Sequence, residues 1–86
     1  MSGVLTIRTK RHKQLVEFLI AERKRIGLTQ VELAAQLGVS QTWVVRLESG
    51  GRRIDVIEFM ALADLLGFNA SKTIQKLEKT QAEIFR

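Results

Sequence analysis

Between residues 29 and 51, start and stop signals for helices crowd together more tightly than anywhere else in the chain. Thr29 stands three residues before Glu32, the spacing of a capping box, and Leu28 and Leu33 sit where a hydrophobic staple needs them. Leu33, Ala34 and Leu37 recur at helical spacing until Gly38 stops the run. Only Val39 separates that glycine from Ser40, a second N-cap residue whose staple is Val39 with Val44. Ser49-Gly50-Gly51 ends the second segment. Two short helices meeting at a tight turn leave few folds open to a small chain.

The flanks continue in the same idiom. Upstream, Leu15, Phe18, Leu19, Glu22, Arg23 and Ile26 recur at three- and four-residue spacing, which predicts a helix over about 10–26 closed by Gly27. Its apolar face carries an arginine. Downstream, Asp55 and Glu58 form another capping box, and Ile54 and Phe59 another staple. Phe59, Leu62, Ala63 and Leu66 supply that helix's inward face before Gly67. A fifth helix is expected from about Asn69, with Ile74, Leu77, Gln81 and Ile84 as its stripe. No repeat, low-complexity segment or linker interrupts the series. The expected organisation is an N-terminal arm over 1–9, a compact all-α domain over 10–68, and a C-terminal helix over 69–86.

The chain has 86 residues, enough for one domain. It contains no proline and no cysteine, so disulfides, thiolate zinc sites and cysteine nucleophiles are excluded. A reducing, cytoplasmic setting fits that absence. The formal net charge is +5, with seven Lys/Arg against two acids in residues 1–30. Such an excess attracts polyanions, nucleic acid first. A membrane is a poor fit, because no apolar run approaches the roughly 18 residues that span a bilayer. His12 is the single histidine and stands near no second ligand in sequence; no nucleophile elbow or phosphate loop occurs. No metal, no cofactor and no enzymatic activity are expected.

Residues 29–49 therefore read as a helix-turn-helix, whose second helix can enter the DNA major groove. The informative part is that helix's outer face. With Val44 and Leu47 turned inward, Thr42, Val45 and Arg46 point away, flanked by Gln41 and Trp43. A purely solvated face would carry Glu and Lys. This one offers an amide suited to adenine, a guanidinium suited to guanine, and apolar or methyl-bearing groups suited to thymine.

The string R-K-R-I-G-L-T-Q-V-E-L-A-A-Q-L-G-V-S-Q-T-W-V-V-R-L-E-S-G closely resembles the lambda repressor/Cro-like, or XRE, helix-turn-helix family, over roughly residues 15–67. The resemblance implies a five-helix DNA-binding domain of a bacterial or phage transcription regulator that binds as a dimer. It implies that Gln30 contacts a phosphate and braces Gln41, that Thr42 and Arg46 read bases with Val45 between them, and that Arg23 and Glu48 form a buried salt bridge. This chain departs from many relatives in placing valine at 45 and threonine at 42.

Thr29, at the head of the first motif helix, joins Gln30 as an expected phosphate contact. Trp43 either covers a sugar-phosphate stretch or packs at the domain's edge against Val39. Arg52 and Arg53, after the Gly50-Gly51 pair, are placed to reach the DNA backbone. The cluster Arg8, Lys10, Arg11, His12, Lys13 is either an arm touching DNA or a solvated chain start. The expected function is a sequence-specific double-stranded DNA-binding transcriptional regulator, a repressor, working in the cytoplasm at the nucleoid. It is expected to be a homodimer on two-fold related half-sites, joined through Ile74, Leu77, Gln81, Ile84 and Phe85. The alternative is an antitoxin or other protein-interaction module, with a protein partner on the C-terminal segment and DNA binding secondary.

Overall fold

A computed structural model describes residues 9–80, which form five helices and no strand. They are α1 (Lys10–Arg25), α2 (Gln30–Leu37), α3 (Gln41–Glu48), α4 (Val56–Leu66) and α5 (Ala70–Glu78). Each start is capped by the side chain of the preceding residue: Thr9, Thr29, Ser40, Asp55 and Asn69. Both expected capping boxes are formed in full, so two of the orphan N–H groups at each of those ends are satisfied locally. Thr9, assigned to the arm by the sequence, is the cap of α1, and its hydroxyl oxygen accepts from the His12 N–H.

The turn between α2 and α3 depends on Gly38. Its φ of 75° is the left-handed conformation that glycine adopts without a Cβ penalty. The Val39 N–H reaches back to the Ala34 carbonyl at 3.0 Å, and the chain is free to restart at Ser40. α3 consequently crosses α2 at once and also packs on α1, while α4 lies against α2. Leu19, Leu33, Ala34, Val44, Leu47, Leu62 and Leu66 make the central core, with α1 to α4 all contributing. Phe68 closes one end, its ring edge-on to Phe18 at 4.9 Å and tilted against Phe59 at 5.5 Å.

α5 differs from the sequence expectation. It ends at Glu78 rather than running on through 86, and it packs on α1 and α4. The N–H groups of Lys79 and Thr80 turn to the carbonyls of Lys76 and Leu77, tightening the last turn. Arg11 of α1 then donates to the carbonyls of Leu77, Glu78 and Thr80, each at 3.2 Å, capping the end of α5 with a cation. Thr80 also bonds Gln14. Thr73 is buried, and Leu77 is half-buried in a cleft with Gln14 and Phe18. The stripe is therefore divided: Leu77 is used within the protomer, Ile74 is exposed, and Gln81, Ile84 and Phe85 lie outside the described residues.

Candidate nucleic-acid interface

α3 is anchored from beneath. Val44 and Leu47 are among the most deeply buried side chains of the protein, so the helix cannot roll about its own axis without opening the core. That anchoring exposes Gln41, Thr42, Val45 and Arg46 together on the outer side. The four expected base-reading residues thus share one solvent-facing surface, carried by a regular helix rather than a loop.

Beneath the far end of α3 lies a charged knot. Arg23 Nε donates to Glu48 Oε2 at 2.6 Å and Arg23 Nη2 to Glu48 Oε1 at 2.9 Å, a bidentate pair. Arg23 Nη1 donates to the Leu28 carbonyl at 2.7 Å, fixing the corner between α1 and α2. Arg23 is buried although it is charged. Burial pushes the Glu48 pKa up, but the hydrogen bonds from Arg23 and Gln30 and the nearby positive charges outweigh it, and the net shift is downward. The carboxylate stays ionised.

Gln30 sits at the head of α2, yet its Nε2 donates to Glu48 Oε1 at 3.0 Å. One hydrogen of the amide is thereby given to the Arg23–Glu48 knot. Thr29 accepts from the Glu32 N–H through its hydroxyl oxygen, and its own N–H donates to the Glu32 carboxylate. The hydroxyl oxygen is occupied as an acceptor, and the hydroxyl hydrogen can still donate.

Trp43 and Arg52 form the other flank. Arg52 Cζ lies 4.3 Å from the centroid of the Trp43 ring, and its two terminal nitrogens each reach a different Glu58 oxygen at 3.1 Å. Glu58 also accepts from the Asp55 N–H as the second half of the α4 capping box. The arginine side-chain bonds lead this carboxyl's pKa downward, ahead of the opposing effect of its burial. Trp43 is half-buried beside Leu37 and Val39. One connected stack of indole, guanidinium and carboxylate therefore joins α3 to the start of α4. Arg53, the next residue, is exposed.

At the opposite end of α3 the chain turns under His12. Burial lowers the His12 pKa, against the Gly50 and Arg52 backbone carbonyls, which favour its charged form. Its Nε2 has no hydrogen-bond partner among the described residues. His12, Lys13, Val16, Ile20 and Glu48 line an open cleft of about 530 Å³ between α1 and the end of α3.

The sequence did not single out Glu58 as the anchor of Arg52, Gln30 as a partner of Glu48, or Arg11 as the clamp on α5. The six-residue offset from Arg52 to Glu58 was the only trace of the first. The other two join segments distant in sequence.

The sequence profile of the helix-turn-helix family matches residues 19–72, from the middle of α1 into α5. A solved structure described as an XRE-family like protein from Pseudomonas syringae pv. tomato str. DC3000 is similar to this chain at 36% identity and a TM-score of 0.78, covering 95% of this chain and 100% of its own. This chain belongs to the XRE-type helix-turn-helix family. No curated protein matches it. XRE-type helix-turn-helix domains bind double-stranded DNA, and the family is one of DNA-binding regulators. Membership places α2 and α3 as the helix-turn-helix motif.

Proposed function

We propose that this XRE-type chain is a sequence-specific transcriptional regulator, a repressor, that inserts α3 into the major groove and reads two-fold related half-sites as a homodimer. The observation that carries the reading is the exposed set Gln41, Thr42, Val45 and Arg46 on a helix held by a buried apolar face and a buried ion pair. Arg46 reads guanine through its paired N–H groups, Gln41 an adenine edge, and Val45 with Thr42 a thymine methyl. Thr29, the amide edge of Gln30 left over from Glu48, the Trp43 indole N–H and Arg53 hold phosphates beside the groove. Arg52 contributes charge at the same rim while its side chain braces Trp43. Repression follows from occupancy of the site. No helix of the described residues is long and apolar enough to cross a membrane, and we place the protein at the nucleoid.

Selection of bound duplexes from a random pool tests this directly. The expected result is an enriched sequence with two inverted half-sites whose centres are about one helical turn apart. Affinity for that duplex should fall with log salt at about −0.9 per neutralised phosphate. A pool that shows no enrichment together with a flat salt response overturns the reading.

A further inference from the structure

The loop between α3 and α4, which carries Arg52 and Arg53, is held from three sides. Its start is tied to α3, where the Gly50 N–H donates to the Leu47 carbonyl at 3.1 Å and the Gly51 N–H to the Arg46 carbonyl at 3.0 Å. There is little slack, since a Cβ on Gly51 would stand 3.3 Å from Ser49 Oγ. Its end is tied to α4 by the two bonds from Arg52 to Glu58. The third support is α1. His12 lies in the first turn of that helix, its N–H fixed by the Thr9 cap, and its ring lies against the backbone carbonyls of Gly50 and Arg52.

That ring is not fully used. Its Nε2 is shut off from solvent and has no hydrogen-bond partner among the described residues. A neutral imidazole has one N–H and serves one carbonyl, whereas the imidazolium has two and can serve both. The surrounding charges are mixed. Lys10, Lys13 and Glu17 of α1 and Glu48 of α3 line the cleft beside the ring. Glu48 is already taken by Arg23 and Gln30, and the Arg52 guanidinium is turned to Glu58. In the free chain burial outweighs the two carbonyls, and the ring favours its neutral form. Negative charge brought to the loop works the other way, and a phosphate gripped by the exposed Arg53 brings it. We propose that His12 is a positioning residue for the DNA-backbone contact: a duplex phosphate at Arg53 draws a proton from solvent onto the ring, whose second N–H then fastens the Gly50 and Arg52 carbonyls and sets the loop against the duplex. The inference rests on the phosphate contact given above to Arg53 and requires nothing of base reading by α3.

His12 is the single histidine, so its ring protons report its titration directly in the NMR spectrum of the full chain. A random-sequence duplex at low salt is the probe, because phosphate contact is independent of base sequence. The midpoint should lie below about 6.5 in the free chain and rise when the duplex is added. By linkage, affinity should then increase at least about threefold as pH falls from about 7.5 to about 5.5. The chain's α-amino group also titrates near the top of this range, but its share of the slope survives in His12→Gln. That variant keeps an N–H donor and cannot take up the proton, so it should lose most of the slope while its helical circular dichroism is unchanged. Arg53→Ala should leave the free-chain midpoint in place and shrink the rise that the duplex causes. A His12 midpoint that does not move when the duplex binds overturns this inference alone, as does a His12→Gln variant with the wild-type slope. A chain that binds no duplex at low salt overturns the proposed function along with it.

Discussion

Gln30 and Arg23 share one acceptor: Glu48 Oε1 takes the Gln30 Nε2 hydrogen at 3.0 Å and the Arg23 Nη2 hydrogen at 2.9 Å. The carboxylate that ends α3 is thereby tied both to α1 and to the first residue of α2. The pose of α3 is set by electrostatics as well as by Val44 and Leu47. Arg23→Ala leaves Glu48 as an uncompensated, largely buried charge, with a cost of about 3–5 kcal/mol. Gln30→Ala removes one neutral donor to a charged group and should cost about 1.5–3 kcal/mol at most. Urea unfolding measures both, and equal losses would contradict this ordering.

The pH dependence has two parts. The folded-state pKa of Glu48 is lowered, so its stabilisation is fully present above the unfolded value of about 4.3 and is lost as pH falls through the lower folded value. His12 is also lowered, in its case by burial. Its neutral ring is favoured in the fold, so stability falls as pH drops below about 6.5, where the unfolded chain takes up the proton first. His12→Gln should flatten the upper part of the curve and leave the acid limb unchanged. Thermal midpoints between neutral and mildly acidic pH are the measurement. An unchanged upper slope in that variant would remove His12 from the account.

Arg46 and Arg53 should separate in a binding assay. Arg46→Ala is expected to relax discrimination at one base pair per half-site by about 1–3 kcal/mol. Arg53→Ala should weaken every sequence alike and reduce the salt slope by about 0.9. Identical specificity profiles for the two variants would count against the division between groove and backbone contacts.

Much of the framework was legible because its signals are local. The two capping boxes, the Gly38 turn and the three- and four-residue spacing of Leu33, Leu37, Val44 and Leu47 each act within a few residues. The shared exposure of Gln41, Thr42, Val45 and Arg46 was legible for the same reason, since fixing Val44 and Leu47 inward fixes what lies opposite. The commitments of Gln30 and Arg52 were not. Each has several acceptors within reach of a long side chain, and only the packed fold chooses among them. The end of α5 was hidden for a related reason: the stripe spacing continues past Glu78, while the Arg11 contacts that cap the helix come from 66 or more residues away. The apolar outer face of α4 was visible as composition, but its exposure depends on what the other helices leave uncovered.

Trp43 reports on its own flank, because it is the single tryptophan of the chain. Arg52→Ala removes both the cation over the ring and the bridge to Glu58. The pair is partly exposed, so the expected stability loss is only about 1 kcal/mol. The emission maximum should nevertheless move to the red as water reaches the indole. Glu58→Gln should give a smaller shift of the same sign, since the guanidinium then loses its tether but not its ring. Emission unaltered by Arg52→Ala would mean that the stack does not persist in solution.

Arg11 joins the start of α1 to the end of α5 through three carbonyl oxygens of one turn. α5 has nine residues, too few to hold as a helix in water without its contacts on α1 and α4. Arg11→Ala leaves the last carbonyls to solvent and removes a favourable charge at the negative end of the helix dipole. Thr73 and Leu77 should still keep α5 docked, so the opening is expected to be local rather than global. Hydrogen exchange measures it: the amides of Thr73 to Thr80 should exchange faster, while those of Val44, Leu47 and Leu62 keep the protection of the whole fold. Arg11→Lys should restore only part of the protection, because a single ammonium cannot reproduce the planar fork that reaches three acceptors. If core and α5 amides accelerated together, α5 would be part of the main cooperative unit, and the clamp would be stabilising the entire domain.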